Sequence, residues 1–404
     1  MVHNKFESLN ALKWSLLFST IFVVSHFTSW PILRISGVSN GGPFFGDLRL
    51  VLASADCAGG GSEAIYSESC GYVYGSWLIR GFQLIGLGEA QSQTLGWIFL
   101  FATGLFLGFL VTSLAITSIR VFLLTFLVFT SPPILLLVER SNIDILIVLL
   151  LAFCALCVSR GWMVCAIGLA VAASVFKFYP APLLLWLFVF SSRWLHKLIA
   201  ALSFLLVCFQ ITHDLNQMSV AIPEPTFWAF GNLVFGLYLE YFGYATQRIL
   251  QNGLGLLLIL LCVVSICVLE KYSELNLPKH TNVFKCGGSV DAVFAIFSLV
   301  FFVCFFGGMN HDYRLIFLLV PALILTLRTT ENSFTNRALA ATLFAASWGS
   351  WNSIFQPIGD VAIALWCAVL LRCLFVETIL ELVKAPRRWA ITRIDAFTRI
   401  SQRW

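Results

Sequence analysis

The sequence predicts an all-α, polytopic integral membrane protein, and three observations carry that prediction. Of 404 residues, 59% are hydrophobic and 11% are charged, and the mean hydropathy is +0.90, far from the balance of a soluble domain. A bilayer core of roughly 30 Å needs about 20 apolar residues per helical crossing, and such windows recur along almost the whole chain. Between them lie short polar turns with no charge-rich linker, low-complexity tract or internal repeat, so residues 1–383 form one membrane domain and 384–404 a tail.

About twelve crossings are expected, near 11–33, 93–117, 119–138, 143–158, 162–178, 179–192, 195–212, 251–269, 288–308, 313–328, 335–351 and 360–382. The first follows a polar start with Lys5 and Lys13 and has no small-x-small cleavage site, which suits a retained signal anchor. The sixth is short and begins in FYPAP, so it is either tilted or half of a re-entrant pair with the fifth. With the N-terminus in the cytosol, about 17 of the 25 Lys and Arg fall on the cytosolic side, as the positive-inside rule asks. The opposite side collects about 12 of the 20 acids, including Asp47, Asp56, Glu139, Asp144, Asp214, Asp312 and Asp360. Both termini are then cytosolic, in a membrane expected to be the bacterial inner membrane.

Two outer segments are too long for simple connections. Residues 34–92 hold amphipathic stretches, FFGDLRLVLA and YVYGSWLIRGFQLIG, that suit interfacial helices, and residues 213–250 hold the aromatic run TFWAFGNLVFGLYLEYFGY. The tail places Trp389, Ile394, Phe397, Ile400 and Trp404 near one helical face with six basic residues elsewhere. It suits an anionic lipid surface, and six bases beside a membrane need no nucleic acid. Twelve cysteines are spread mainly through apolar segments with no metal-ligand spacing. Cys57 and Cys70 share an outer loop, where a disulfide and two free thiols are both open.

Four polar clusters interrupt the apolar pattern on the outer side. In GDLR, Asp47 and Arg49 flank Leu48, as either the polar face of an interfacial helix or a working pair; Asp56, beside a glycine run, reads as a turn residue. In ERSNID, Ser141 or Asn142 can cap the next helix and Asp144 sits in its first turn, where the helix dipole favours an anion. Capping leaves Glu139 and Arg140 to be either an interfacial pair or part of a polar site. Lys177, in FKFYP beside Tyr179, either snorkels to the headgroups or binds an anion. In MNHDYR, Asn310, His311, Asp312 and Arg314 make either a polar turn or a base with its orienting carboxylate. Proton acceptors and cations at headgroup depth together suit transfer from a lipid phosphate: an acceptor hydroxyl must lose a proton while the departing phosphate gains charge.

GDLR at 46–49, ERSNIDILIVLLLAF after the third crossing and the following small-residue helix ending in KFYP resemble, in order and spacing, the GT-C superfamily of membrane glycosyltransferases. The resemblance covers most of the chain and is closest to glycosyltransferase family 87, the polyprenyl-phosphate-mannose-dependent mannosyltransferase-like proteins. It implies a GT-C fold, an extracytoplasmic site, and inverting transfer of mannose or another hexose or pentose to a lipid or glycan hydroxyl. The donor is a polyprenyl-phosphate sugar, and neither cofactor nor metal is expected. It also implies roles: Asp47 with His311 as catalytic groups, Arg49, Lys177, Arg140 and Arg314 on the phosphate side, and Glu139, Asn142, Asp144, Tyr179, Asn310 and Asp312 lining the site. ERSN replaces the Gly-Gln-x-Asn-like turn of many relatives, and HDYR replaces a double-His pattern. A transporter is the main rival, but it would show broken helices and inverted repeats with polar groups near the midplane. A lipid-linked polysaccharide polymerase or ligase would use a diphosphate donor and a large outer loop rich in Arg and His.

Overall fold

The computed structural model describes residues 2–27, 45–57, 65–66, 70, 74–114, 118–218, 229–231, 234, 248–272, 288–307, 310–328, 334–349 and 355–376. The tail at 384–404 and most of the aromatic run at 226–244 lie outside them. The regular structure among the described residues is helical except for a two-residue antiparallel pair, β1 (Ala229–Phe230) and β2 (Asn310–His311). Among the described residues, four helices are long and apolar enough to cross a membrane: α4 (Ser92–Ser113, extended by a 3-10 turn from Glu89), α10 (Trp194–Gln217), α12 (Ser289–Phe306) and α15 (Gln356–Leu371 with the turn that follows). A bent pair, α5 (Ile119–Phe129) and α6 (Pro132–Glu139), makes a fifth if it is one span. The protein is therefore a helical membrane protein.

α1 (Val2–Phe27) is set against α4 by small residues. A Cβ added to Gly104 would run into Ser19 Oγ, and one added to Gly108 into the backbone of Ser15. This G-x-x-x-G seam lets two backbones approach closely, which is how helices gain packing where lipid supplies no hydrophobic drive.

The third expected crossing divides in two. α5 and α6 meet at 47°, because Pro132 and Pro133 lack N–H groups and Pro132 forces Ser131 into extended backbone (φ −71°, ψ 156°) while opening the next helix. The apolar helices α7 (Asp144–Ser159), α8 (Met163–Phe176) and α13 (Ile316–Arg328) match their expected segments closely. α9 (Pro182–Phe190) has nine residues, about 13 Å of rise, too short to cross alone.

The core lies where α4, α7, α12 and α13 meet. Every residue of α13 from Ile316 to Thr326 is buried. Phe294, Phe297, Phe301 and Phe305 of α12 are buried too, with Phe297 stacked on Phe106 of α4. α10 is peripheral and exposes Leu202, Leu205, Leu206 and Phe209, a face suited to lipid. α11 (Arg248–Tyr272) packs on α15. Gly359 of α15 touches Gly349 at the end of α14 (Phe334–Trp348), too closely for a Cβ on either. An Arg328–Asp291 ion pair ties the end of α13 to the start of α12.

Two short helices from residues 45–84 cover the other end of the bundle: α2 (Gly46–Cys57) and α3 (Ser76–Leu84). Asp56 is not a turn residue. It closes the last turn of α2, and its Oδ2 accepts the Glu89 N–H at 2.8 Å. Cys57 and Cys70 are bonded to each other, and Ser54 Oγ donates to the Cys70 carbonyl at 3.1 Å.

Candidate active site

The site is built where α6 ends and α2 and α7 begin. α6 stops in a helix-ending turn in which Asn142 N donates to Leu137 O at 3.2 Å and Ser141 N to Val138 O at 3.0 Å. That turn normally places glycine in the left-handed region, yet here Ser141 occupies it at φ 43°. The residue opening α2 is also left-handed: Phe45 has φ 58°. Its N–H donates to Glu139 O at 3.1 Å, and Leu48 N reaches Arg140 O at 3.4 Å. Both strained residues dock on one point of α4. The Phe45 ring takes the space a Cβ at Gly96 would need, and Ser141 Oγ faces the Gly96 carbonyl at 3.4 Å. Two non-glycine residues held in this region cost of order 1–3 kcal/mol each, and each lies within two residues of a polar side chain of the site.

Asp47 lies in the first turn of α2, where the helix dipole favours its charge. Its Oδ2 accepts a 2.6 Å hydrogen bond from Asn142 Nδ2, and its Oδ1 is 3.6 Å from Arg140 Nη1. The Asn142 Oδ1 accepts from Lys177 Nζ at 2.9 Å and from the Asp144 N–H at 3.0 Å. Asn142 thus meets the start of α7 from one residue before its N-cap, Ile143, and the other end of its amide serves Asp47.

Asp144 does more than favour a helix start. Fully buried, it takes Lys177 Nζ at 2.8 Å and the Tyr179 hydroxyl at 2.5 Å on Oδ1, and Arg314 Nε at 3.3 Å on Oδ2. Lys177 does not snorkel outward: it is 2% exposed and lies 4.4 Å from the centroid of the Tyr74 ring. Arg314 stacks over Tyr179 at 5.2 Å. A lone buried charge would be very costly, and this group answers that cost with two cations, one carboxylate and a phenol in mutual contact.

The accessible part is the outer pair, whose side chains are 24% (Asp47) and 31% (Arg140) exposed, against 16% for Arg314. Glu139 borders it, with a buried Oε2 that has no hydrogen-bond partner among the described residues. No family model, curated protein or solved structure matches the chain. The available chemistry is that of these side chains: a partly exposed carboxylate braced by an amide, beside guanidinium groups, over a sealed charged layer.

The structure does not gather every residue singled out in the sequence. Arg49 turns away from Asp47, and its Nε pairs with Glu89 Oε1 at 2.5 Å with both side chains about half-exposed. Two residues on from Asp47, it occupies the far side of the helix. The backbone of Asn310 and His311 pairs with Phe230 and Ala229, and the 3-10 turn Asp312–Leu315 packs on α6 and delivers Arg314. The side chains of Asn310, His311 and Asp312 lie outside the described residues. Among the described residues no three His, Cys, Asp or Glu side chains converge as metal ligands.

Sequence reasoning missed Tyr74 and a second buried group around Asp214. That carboxylate accepts from Ser76 N at 3.2 Å, Ser76 Oγ at 2.9 Å and Gln210 Nε2 at 2.9 Å. Nearby, Tyr66 donates to the Tyr74 carbonyl at 2.8 Å. Burial, and after it the charge of Asp214, pushes the Tyr66 phenol up, which keeps it a donor. The only sequence signal was the aromatic-Gly-Ser run YVYGS within the long segment 34–92.

Proposed function

We propose that this protein is a GT-C glycosyltransferase of about twelve crossings, resembling family 87, that moves a sugar from a polyprenyl-phosphate donor to a lipid or glycan hydroxyl outside the cytoplasm. The observation that carries the proposal is Asp47: a partly exposed carboxylate, oriented by Asn142 and flanked by Arg140, at the start of a surface helix. Its free face can take the proton of an acceptor hydroxyl. The resulting oxygen nucleophile bonds to the anomeric carbon as the bond from that carbon to the phosphate oxygen breaks, its electron pair leaving with polyprenyl phosphate and the configuration inverting. Arg140 and Arg314, each with some exposed surface, stabilise the departing charge, while Lys177 supports them from beneath. The Cys57–Cys70 bond in the loop that carries Asp47 supports an outer location, since disulfides persist in oxidising compartments. With that side outward, both termini are cytosolic.

The test is transfer by purified protein from a labelled polyprenyl-phosphate sugar, with nucleotide sugar as the comparison. Product should form from the lipid donor alone, and folded Asp47→Asn should lose about 100-fold or more of the rate. Wild-type rate in that variant would remove Asp47 from the reaction. The buried Asp144 and Lys177 charges, with the partly exposed Arg314 against them, favour a second reading, a transporter, since charges inside a bundle also line translocation paths. Substrate-dependent uptake into vesicles with no covalent product would support that one.

A further inference from the structure

The segment Tyr74–Gly75–Ser76 lies across the floor of the candidate site, and each of its residues is fastened separately. The Tyr74 ring covers the Lys177 ammonium at 4.4 Å, and its carbonyl is held by the Tyr66 hydroxyl. Gly75 N donates to the carbonyl of Phe176, the residue before Lys177, at 3.2 Å. Gly75 sits so close to α8 that any Cβ there would overlap the Val175 carbonyl. Ser76 is bound twice, through N–H and hydroxyl, to Asp214. Asp214 is fully buried near the end of α10, 138 residues away in sequence, and touches none of Asp47, Asn142, Asp144 or Lys177 through any hydrogen bond or ion pair described above.

From this we infer that Asp214 is a positioning residue: it clasps the 74–76 segment over Lys177 and so keeps that ammonium sealed against Asn142 and Asp144. The chemistry supports a clasp over a mere surface link. A buried carboxylate needs several donors to be tolerated, and Asp214 draws two of them from one residue of the covering segment. If the clasp opens, Lys177 loses its ring cover and its neighbouring backbone anchor together. The polar layer below Asp47 then admits water, which weakens every charge interaction in it.

The inference rests on Lys177 belonging to the proposed site, but its test needs no sugar donor, so it can fail or succeed independently of the transfer assay. Full-length protein in detergent is acetylated with an amine-reactive ester, and labelling of Lys177 is followed by mass spectrometry against exposed Lys13. In wild type, Lys177 should react at least about tenfold more slowly than Lys13. Asp214→Leu should raise its relative rate by about tenfold or more, and Gly75→Ala, which removes no charge and pushes the segment off Val175, should do the same. Gly359→Ala, which disturbs the distant α14–α15 contact, should leave Lys177 protected. An intact Cys57–Cys70 bond and a monodisperse elution profile identify folded variants. The inference is overturned if Lys177 stays protected in a folded Asp214→Leu or Gly75→Ala protein. It is equally overturned if Gly359→Ala exposes Lys177 as much, or if wild-type Lys177 reacts like Lys13. Should Asp214→Leu not fold, Ser76→Ala, which removes the hydroxyl that donates to Asp214, decides in its place by the same labelling.

Discussion

Asn142 holds Asp47 and Lys177 at opposite ends of one amide: its Nδ2 donates to the carboxylate at 2.6 Å while its Oδ1 accepts from the ammonium at 2.9 Å. The amide can be oriented only one way, because Lys177 and the Asp144 N–H both need the oxygen. Replacing it with leucine removes hydrogen bonds to two charged groups, one of them buried. Asn142→Leu should therefore cost about 3–6 kcal/mol, since each such bond is worth roughly 1.5–3. Chemical unfolding in detergent measures this, and an unchanged midpoint would show that the amide is not a structural link.

Asp144 faces two cations. Asp144→Asn leaves the buried Lys177 and the partly exposed Arg314 together without their counter-charge, an expected loss of about 3–5 kcal/mol. Adding Lys177→Met to Asp144→Asn removes one stranded charge, so the double variant should be more stable than the sum of the singles predicts. Simple additivity in a double-mutant cycle would mean that the two side chains do not interact.

Arg49 and Glu89 pair near the surface, with both side chains about half-exposed. Arg49→Gln should change stability by less than about 1 kcal/mol and leave sugar transfer near wild type, whereas Arg140→Gln should slow it strongly. If Arg49→Gln impaired transfer as much as Asp47→Asn, the guanidinium would have to swing back to the site during turnover.

Ser141 spends its left-handed backbone on a turn glycine would make without strain. Its hydroxyl contacts are long, 3.3 and 3.4 Å. Ser141→Gly should hold stability level or raise it by up to about 1 kcal/mol, while Ser141→Val should lower it by about 1–3. The order of the two unfolding midpoints is the check, and a more stable valine variant would refute the strain.

The bundle was legible wherever a helix is bounded by local chemistry. α7 and α8 begin and end within about two residues of their apolar runs, because polar turns bracket both. The break at Pro132 had a signal, the SPP triplet, that the surrounding apolar run concealed. The composition of the site was also visible, since charges in an apolar chain demand a reason. Its pairing was not. Asn142 meets Asp47 across 95 positions and Ser76 meets Asp214 across 138, and nothing in residue type or spacing ties such partners together. Arg49 illustrates the converse: two places from Asp47 in the chain, it is turned to another partner by the 100° step of the helix.

The glycine seam between α1 and α4 bears on the order in which the chain is made. α1 is made before α4, so the surface it fits, Gly104 and Gly108, is synthesised only after residues 28–91. During that interval the serines of its future contact face are uncovered. Ser15 is equipped for the wait, because its hydroxyl donates to the Ala11 carbonyl of its own helix at 2.7 Å, so it presents no unsatisfied group before its partner arrives. The same side chain that makes the helix small enough to dock late also makes it self-sufficient enough to be inserted early.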